Sequence, residues 1–162
     1  MLKKIKWILL GLAAIMIIIG TYVVSLVRYA EGEVTALDNY EAAILALQEV
    51  DSIASIHRFN GLESYIVANI EHENGRDFYY FVREGEVQHL FIASELINEP
   101  QANEIAQDLV GDGEIIFTQL GILEETPIFE VQIEFEDSVR YIVIDAQTSE
   151  VILDFPVDGW GI

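Results

Sequence analysis

YIVANIE (Tyr65–Glu71), then ENGR (Glu73–Arg76), then FYYFVR (Phe78–Arg83) is the stretch on which the fold turns. Its β-branched and aromatic residues run in two short blocks around an Asn-Gly pair. That is the strongest short-range signal for a β-hairpin. In the first block Tyr65, Val67 and Asn69 face one way and Ile66, Ala68 and Ile70 the other. Asn74-Gly75 is expected to supply two positive-φ turn positions. Upstream, Ile53–Phe59 reads as a strand stopped by Asn60-Gly61. Downstream, Glu84-Gly85-Glu86 turns the chain into a fourth strand, Val87–Ile92.

Working outward, Leu37, Tyr40, Ile44 and Leu47 fall on one helical stripe, with Ala43 and Val50 in support. A second helical region starts near Ser94, with Pro100 at an early helical position behind Asn98 or Glu99. Ala102, Ile105, Ala106, Leu109 and Val110 form its apolar face, and Gly111 suits its end. Three or four more strands are expected, at Ile115–Leu120, Ile128–Phe135, Val139–Asp145 and Val151–Phe155. Gly121 and Pro127 are read as breaks in the first pair.

Trp7–Val27 is apolar throughout and carries no charge in 21 residues. About 20 helical residues suffice to cross a hydrocarbon core. Lys3, Lys4 and Lys6 precede it and an acidic chain follows, so the positive-inside bias places residues 28–162 outside the cell. The run exceeds a signal-peptide h-region of about 7–15 residues. It therefore reads as an uncleaved anchor. The expected segmentation is a cytoplasmic tail 1–6, a transmembrane anchor 7–27, a connector 28–36, a first repeat 37–93, a second repeat 94–155 and a tail 156–162. The fold class expected is α+β: a transmembrane helix followed by two tandem helix-plus-antiparallel-sheet repeats.

The net charge of −20 is unevenly spread. After Arg28 the only basic residues are Arg58, Arg76, Arg83 and Arg140, against all 28 carboxylates. Such a surface repels nucleic acid and anionic headgroups. The absence of cysteine excludes disulfides, thiol nucleophiles and cysteine-ligated metals. Candidate chemistry is sparse. His57, His72 and His89 lie on different expected strands. Glu71-His72-Glu73 offers two carboxylates on one strand face, short of the three ligands a catalytic zinc needs. The clusters Glu124-Glu125 and Glu134-Glu136-Asp137 fall at turns. No P-loop, G-x-S-x-G or H-E-x-x-H is present. No catalytic, cofactor or metal residue is assigned. Tyr79, Phe81 and Trp160 are the candidate partner contacts, because Phe78–Phe81 puts aromatic rings on both faces of one strand.

The start KKIK before the apolar run, Phe59-Asn60-Gly61 leading into Tyr65, Gly121-Ile122, and the ending from Tyr141 through Asp145 to Glu150-Val151 together resemble the TseB-like cell-wall elongation regulators, the YpmB-like proteins. In that ending Ser149 stands where glycine is common. The resemblance implies that the two repeats are PepSY-like (cystatin-like), in a membrane-anchored, non-enzymatic protein without cofactor. It would modulate cell-wall elongation by touching a penicillin-binding transpeptidase. PepSY domains elsewhere imply a second reading, a modulator or inhibitor of an exported peptidase.

Overall fold

A computed structural model describes residues 19, 21–26, 37–47, 49–136 and 138–158. The chain divides into two compact units, Met1–Asn39 and Tyr40–Ile162. In the first, the described residues 19, 21–26 and 37–39 are helical. Most of Trp7–Val27 lies outside the described residues. Among those described, no helix is long and apolar enough to cross a membrane.

The second unit is dominated by two four-stranded antiparallel sheets, which corrects the expected fold class. The N-terminal sheet has β1 (Val50–Asn60), β2 (Ser64–His72), β3 (Asp77–Arg83) and β4 (Glu86–Ile92). The C-terminal sheet has β5 (Glu114–Leu123), β6 (Thr126–Glu134), β7 (Ser138–Asp145) and β8 (Val151–Asp158). In each the spatial order follows the chain. Helix is minor among the described residues of this unit: the end of a run over residues 37–45 (α1), a 3-10 turn at Ala93–Glu95, and α2 (Glu99–Val110). The expected helix-plus-sheet repeats give way to a mostly β architecture. The physical reason is a shared core. Phe59, Tyr65, Val67 and Phe81 of the first sheet belong to one buried cluster with Ala102 and Ala106 of α2 and with Val131, Ile133, Ile142 and Ile144 of the second.

Local chemistry explains the element ends. Helix α1 stops before Glu49, whose φ of 76° no helix accommodates, and Val50 opens β1 instead of closing the helix. The Glu49 carbonyl accepts from the Glu73 amide at 3.1 Å, pinning this corner to the β2–β3 turn. That turn has only one positive-φ residue, Gly75, not two. The Gly75 amide donates to the His72 carbonyl at 2.8 Å and the His72 amide to the Arg76 carbonyl at 2.9 Å. This is a turn closed by one left-handed glycine, in place of the two-residue mirror-image turn.

Helix α2 begins in a capping box. Asn98 Oδ1 accepts from the Gln101 amide, and Gln101 Oε1 accepts from the Asn98 amide. Removing such a cap costs about 1 kcal/mol. Ser94 caps nothing there, since it sits inside the 3-10 turn. Gly111 ends α2 with a φ of 84°. Gly121 and Pro127 break no strand: both lie inside β5 and β6. Pro127 is the second residue of β6, where a lost donor is tolerated. Strand β8 extends through Pro156 to Asp158, which edge strands permit. The segment expected as a tail from residue 156 is thus partly strand.

Candidate functional site

β1 and β5 are each the outer strand of their sheet, and they lie side by side. Both are bulged, β1 near Ser52–Ser55 and β5 between Ile115 and Phe117. Bulges bend and twist an edge, so it stops pairing. Side chains join the two strands instead. His57 Nε2 donates to the Leu120 carbonyl at 2.9 Å. A carbonyl only accepts, so Nε2 carries the proton and Nδ1 is left to other partners. Phe59, 1% exposed, lays its ring on Gly121; a Cβ there would meet the ring at 2.1 Å. A Cβ at Gly61 would meet the same ring at 2.6 Å. Thr118 Oγ1 donates to Asn103 Oδ1 of α2 at 2.6 Å.

Beside this joint is a cleft of ≈ 360 Å³. Its walls include His57 from β1, Tyr79 from β3, Glu99 from the start of α2, Phe117 and Gln119 from β5, and Phe129 from β6. Hollows of ≈ 430 and ≈ 480 Å³ occur elsewhere, but they are built from turn residues such as Gly75 and Gly113. The seam cleft alone of these three combines aromatic walls with hydrogen-bonding groups from both sheets. Burial holds the Tyr79 hydroxyl above its ordinary titration range, with the Asp77 and Glu99 carboxylates adding to the effect. Asn69 sits between Ser55 and Tyr79 in a single cross-strand row. Its Oδ1 is buried and has no hydrogen-bond partner. An unmet buried acceptor costs about 1–3 kcal/mol.

The residues singled out in the sequence meet different fates. Tyr79 lines the cleft, half-buried. Phe81 is 0% exposed and belongs to the core, so it is corrected from a partner contact to a packing residue. It lies on the face of β3 that shares the core between the sheets; the opposite face buries Tyr80 and Val82. Trp160 lies outside the described residues. The histidines do not converge. His57 and His89 share one row but have Val67 and Phe81 between them. His72 is buried on the opposite face, with Nε2 2.8 Å from the Tyr80 hydroxyl and Nδ1 3.9 Å from Glu49. Glu71 of the expected ligand pair instead accepts from Ser52 Oγ at 3.3 Å. Among the described residues, no three His, Asp or Glu side chains gather to hold a metal.

Sequence reasoning missed Glu99, Phe117 and Gln119. One signal was available. A glycine inside an otherwise regular strand marks the close approach of another group, and Gly121 does so here.

No family model matches the chain, and no curated protein matches it. Two solved structures are similar. The YpmB protein from Bacillus subtilis aligns over 72% of this chain and 96% of its own, with a TM-score of 0.62 and 20% identity. A candidate lipoprotein from Clostridium difficile 630 aligns over 80% and 92%, with a TM-score of 0.41 and 13% identity, a likeness too low to argue from. The chain therefore has a YpmB-like fold.

Proposed function

We propose that this chain is an extracytoplasmic binding and regulatory protein of the bacterial envelope, held at the membrane through its apolar N-terminal run. It modulates cell-wall elongation by contacting a penicillin-binding transpeptidase, and it acts by recognition, without turnover. The observation that carries the reading is the YpmB-like fold. The charge pattern supports it: three lysines, an uncharged run, then a carboxylate-rich domain, an order that favours export of that domain. The seam cleft suits recognition, because its polar groups converge from two sheets on an aromatic-walled surface. His57 is a poor general base through Nε2, whose proton is already donated to a backbone carbonyl.

The test is affinity purification of the intact chain from solubilised membranes. A transpeptidase is expected among the retained proteins. Its absence, together with measurable inhibition of an exported protease, would replace this reading with peptidase modulation. Turnover of a wall substrate by the purified chain would overturn both.

A further inference from the structure

The β1–β5 cleft combines an anion with aromatic rings. Glu99 is exposed at its rim, and Tyr79, Phe117 and Phe129 form ring-bearing walls. An ammonium group is attracted by a carboxylate and by ring faces together. The methylene stem of a lysine covers apolar wall while its charged end stays at the rim. Burial, with the Asp77 and Glu99 charges adding to it, keeps the proton on the Tyr79 hydroxyl, so this wall is neutral. In the cross-strand row, between the lining residues Ser55 and Tyr79, Asn69 Oδ1 has no donor. Residues 29–162 contain no lysine, so this domain does not fill the site from its own sequence. Its carboxylates, set against four arginines, complement a basic partner.

From these observations we propose that the cleft receives the ammonium end of a lysine side chain carried by a partner protein. The proposal rests on the reading of the chain as a partner-binding domain.

The test titrates the full chain, in detergent micelles, with Nα-acetyl-lysine methylamide while backbone amide NMR signals are followed. Saturable shifts are expected at Ser55, Tyr79 and Thr118. Affinity should fall about ten-fold with the Nε-acetylated probe or in Glu99→Gln, the loss of one charge-assisted hydrogen bond. Glu99 is exposed, so that variant keeps its fold. Asn69→Leu should raise Tm and weaken the probe together; a merely structural asparagine would leave probe binding unchanged. Equal binding of the acetylated probe, or unchanged affinity in both variants, overturns the proposal. Tighter binding of meso-diaminopimelic acid assigns the cleft to wall amines and overturns it too. If a transpeptidase co-purifies while the probe fails to bind, only this inference falls. If the probe binds and no envelope partner is retained, the functional reading falls and the ligand class stands.

Discussion

The two sheets have the same strand order but use glycine differently. In the N-terminal sheet two turn glycines serve the backbone. Gly75 and Gly85 sit in turns with φ of 75° and 83°, and a Cβ at either would meet nothing within 4 Å. In the C-terminal sheet the turns go without it. Glu124 and Ser149 take φ of 59° and 67°, and Asp145 Oδ1 supports the last turn by accepting from the Gln147 and Thr148 amides at 2.7 and 2.9 Å. There the informative glycine is Gly121, inside a strand, which makes room for Phe59 of the other sheet. Gly75 and Gly85 answer a local dihedral demand, whereas Gly121 answers a tertiary one.

The largest expected effect tests that contrast at its centre. Phe59→Ala should destabilise the fold by about 3–5 kcal/mol, as for a fully buried aromatic, read from the urea midpoint of the full chain. Gly121→Ala should cost about 1–3 kcal/mol by overpacking against the ring. In the Phe59→Ala background the second cost should largely vanish, because the ring it strikes is gone. Additive losses would break the comparison. Gly75→Ala should cost about 1–2 kcal/mol through its left-handed dihedral alone, and should be indifferent to Phe59.

A smaller effect runs the other way. Ser149→Gly relieves a left-handed serine and should stabilise the protein by about 1 kcal/mol. No gain would show that the Asp145 hydrogen bonds already offset the strain.

The smallest effects separate the sheets by pH. Burial raises Tyr65, Tyr79 and Tyr80, all in the N-terminal sheet, above the ordinary 10.0. A raised folded value means that the neutral phenol stabilises. That contribution is whole below pH 10.0 and is lost as pH climbs through the folded values. Tyr79→Phe should therefore flatten the alkaline fall in stability. In the C-terminal sheet, burial raises Glu130 above 4.5. Its contribution is present below pH 4.5 and lost as pH rises, so Glu130→Gln should gain stability at neutral pH and converge with the parent in acid.

Much of the β-structure was legible from short β-branched and aromatic blocks between turn residues. Tyr65–Glu71 and Phe78–Arg83 became strands because that composition is a local property of the chain, even though both faces are buried. Asn98, Pro100 and Gly111 marked the ends of α2 for equally local reasons. The failures that matter for the site were not local. Phe78–Phe81 advertised two apolar faces but could not say which one the other sheet would bury, so Phe81 looked available when it is sealed. Of the candidate site only Tyr79 was recovered. Glu99 and Phe117 reach the cleft from elements that follow β3 by 16 residues or more. No spacing rule joins them.

By itself, the sequence determined the strand blocks, the capped helix, the turn residues, the apolar start and the acidity, since each follows from neighbours along the chain. It also held both halves of the seam, Phe59-Asn60-Gly61 and Gly121-Ile122, as separate fragments. Only the tertiary structure brought them together. A ring and the glycine it needs are 62 residues apart, and their contact exists because two edge strands stop pairing and pack side by side. The cleft beside that contact, with its unmet Asn69 acceptor, is a product of the same arrangement.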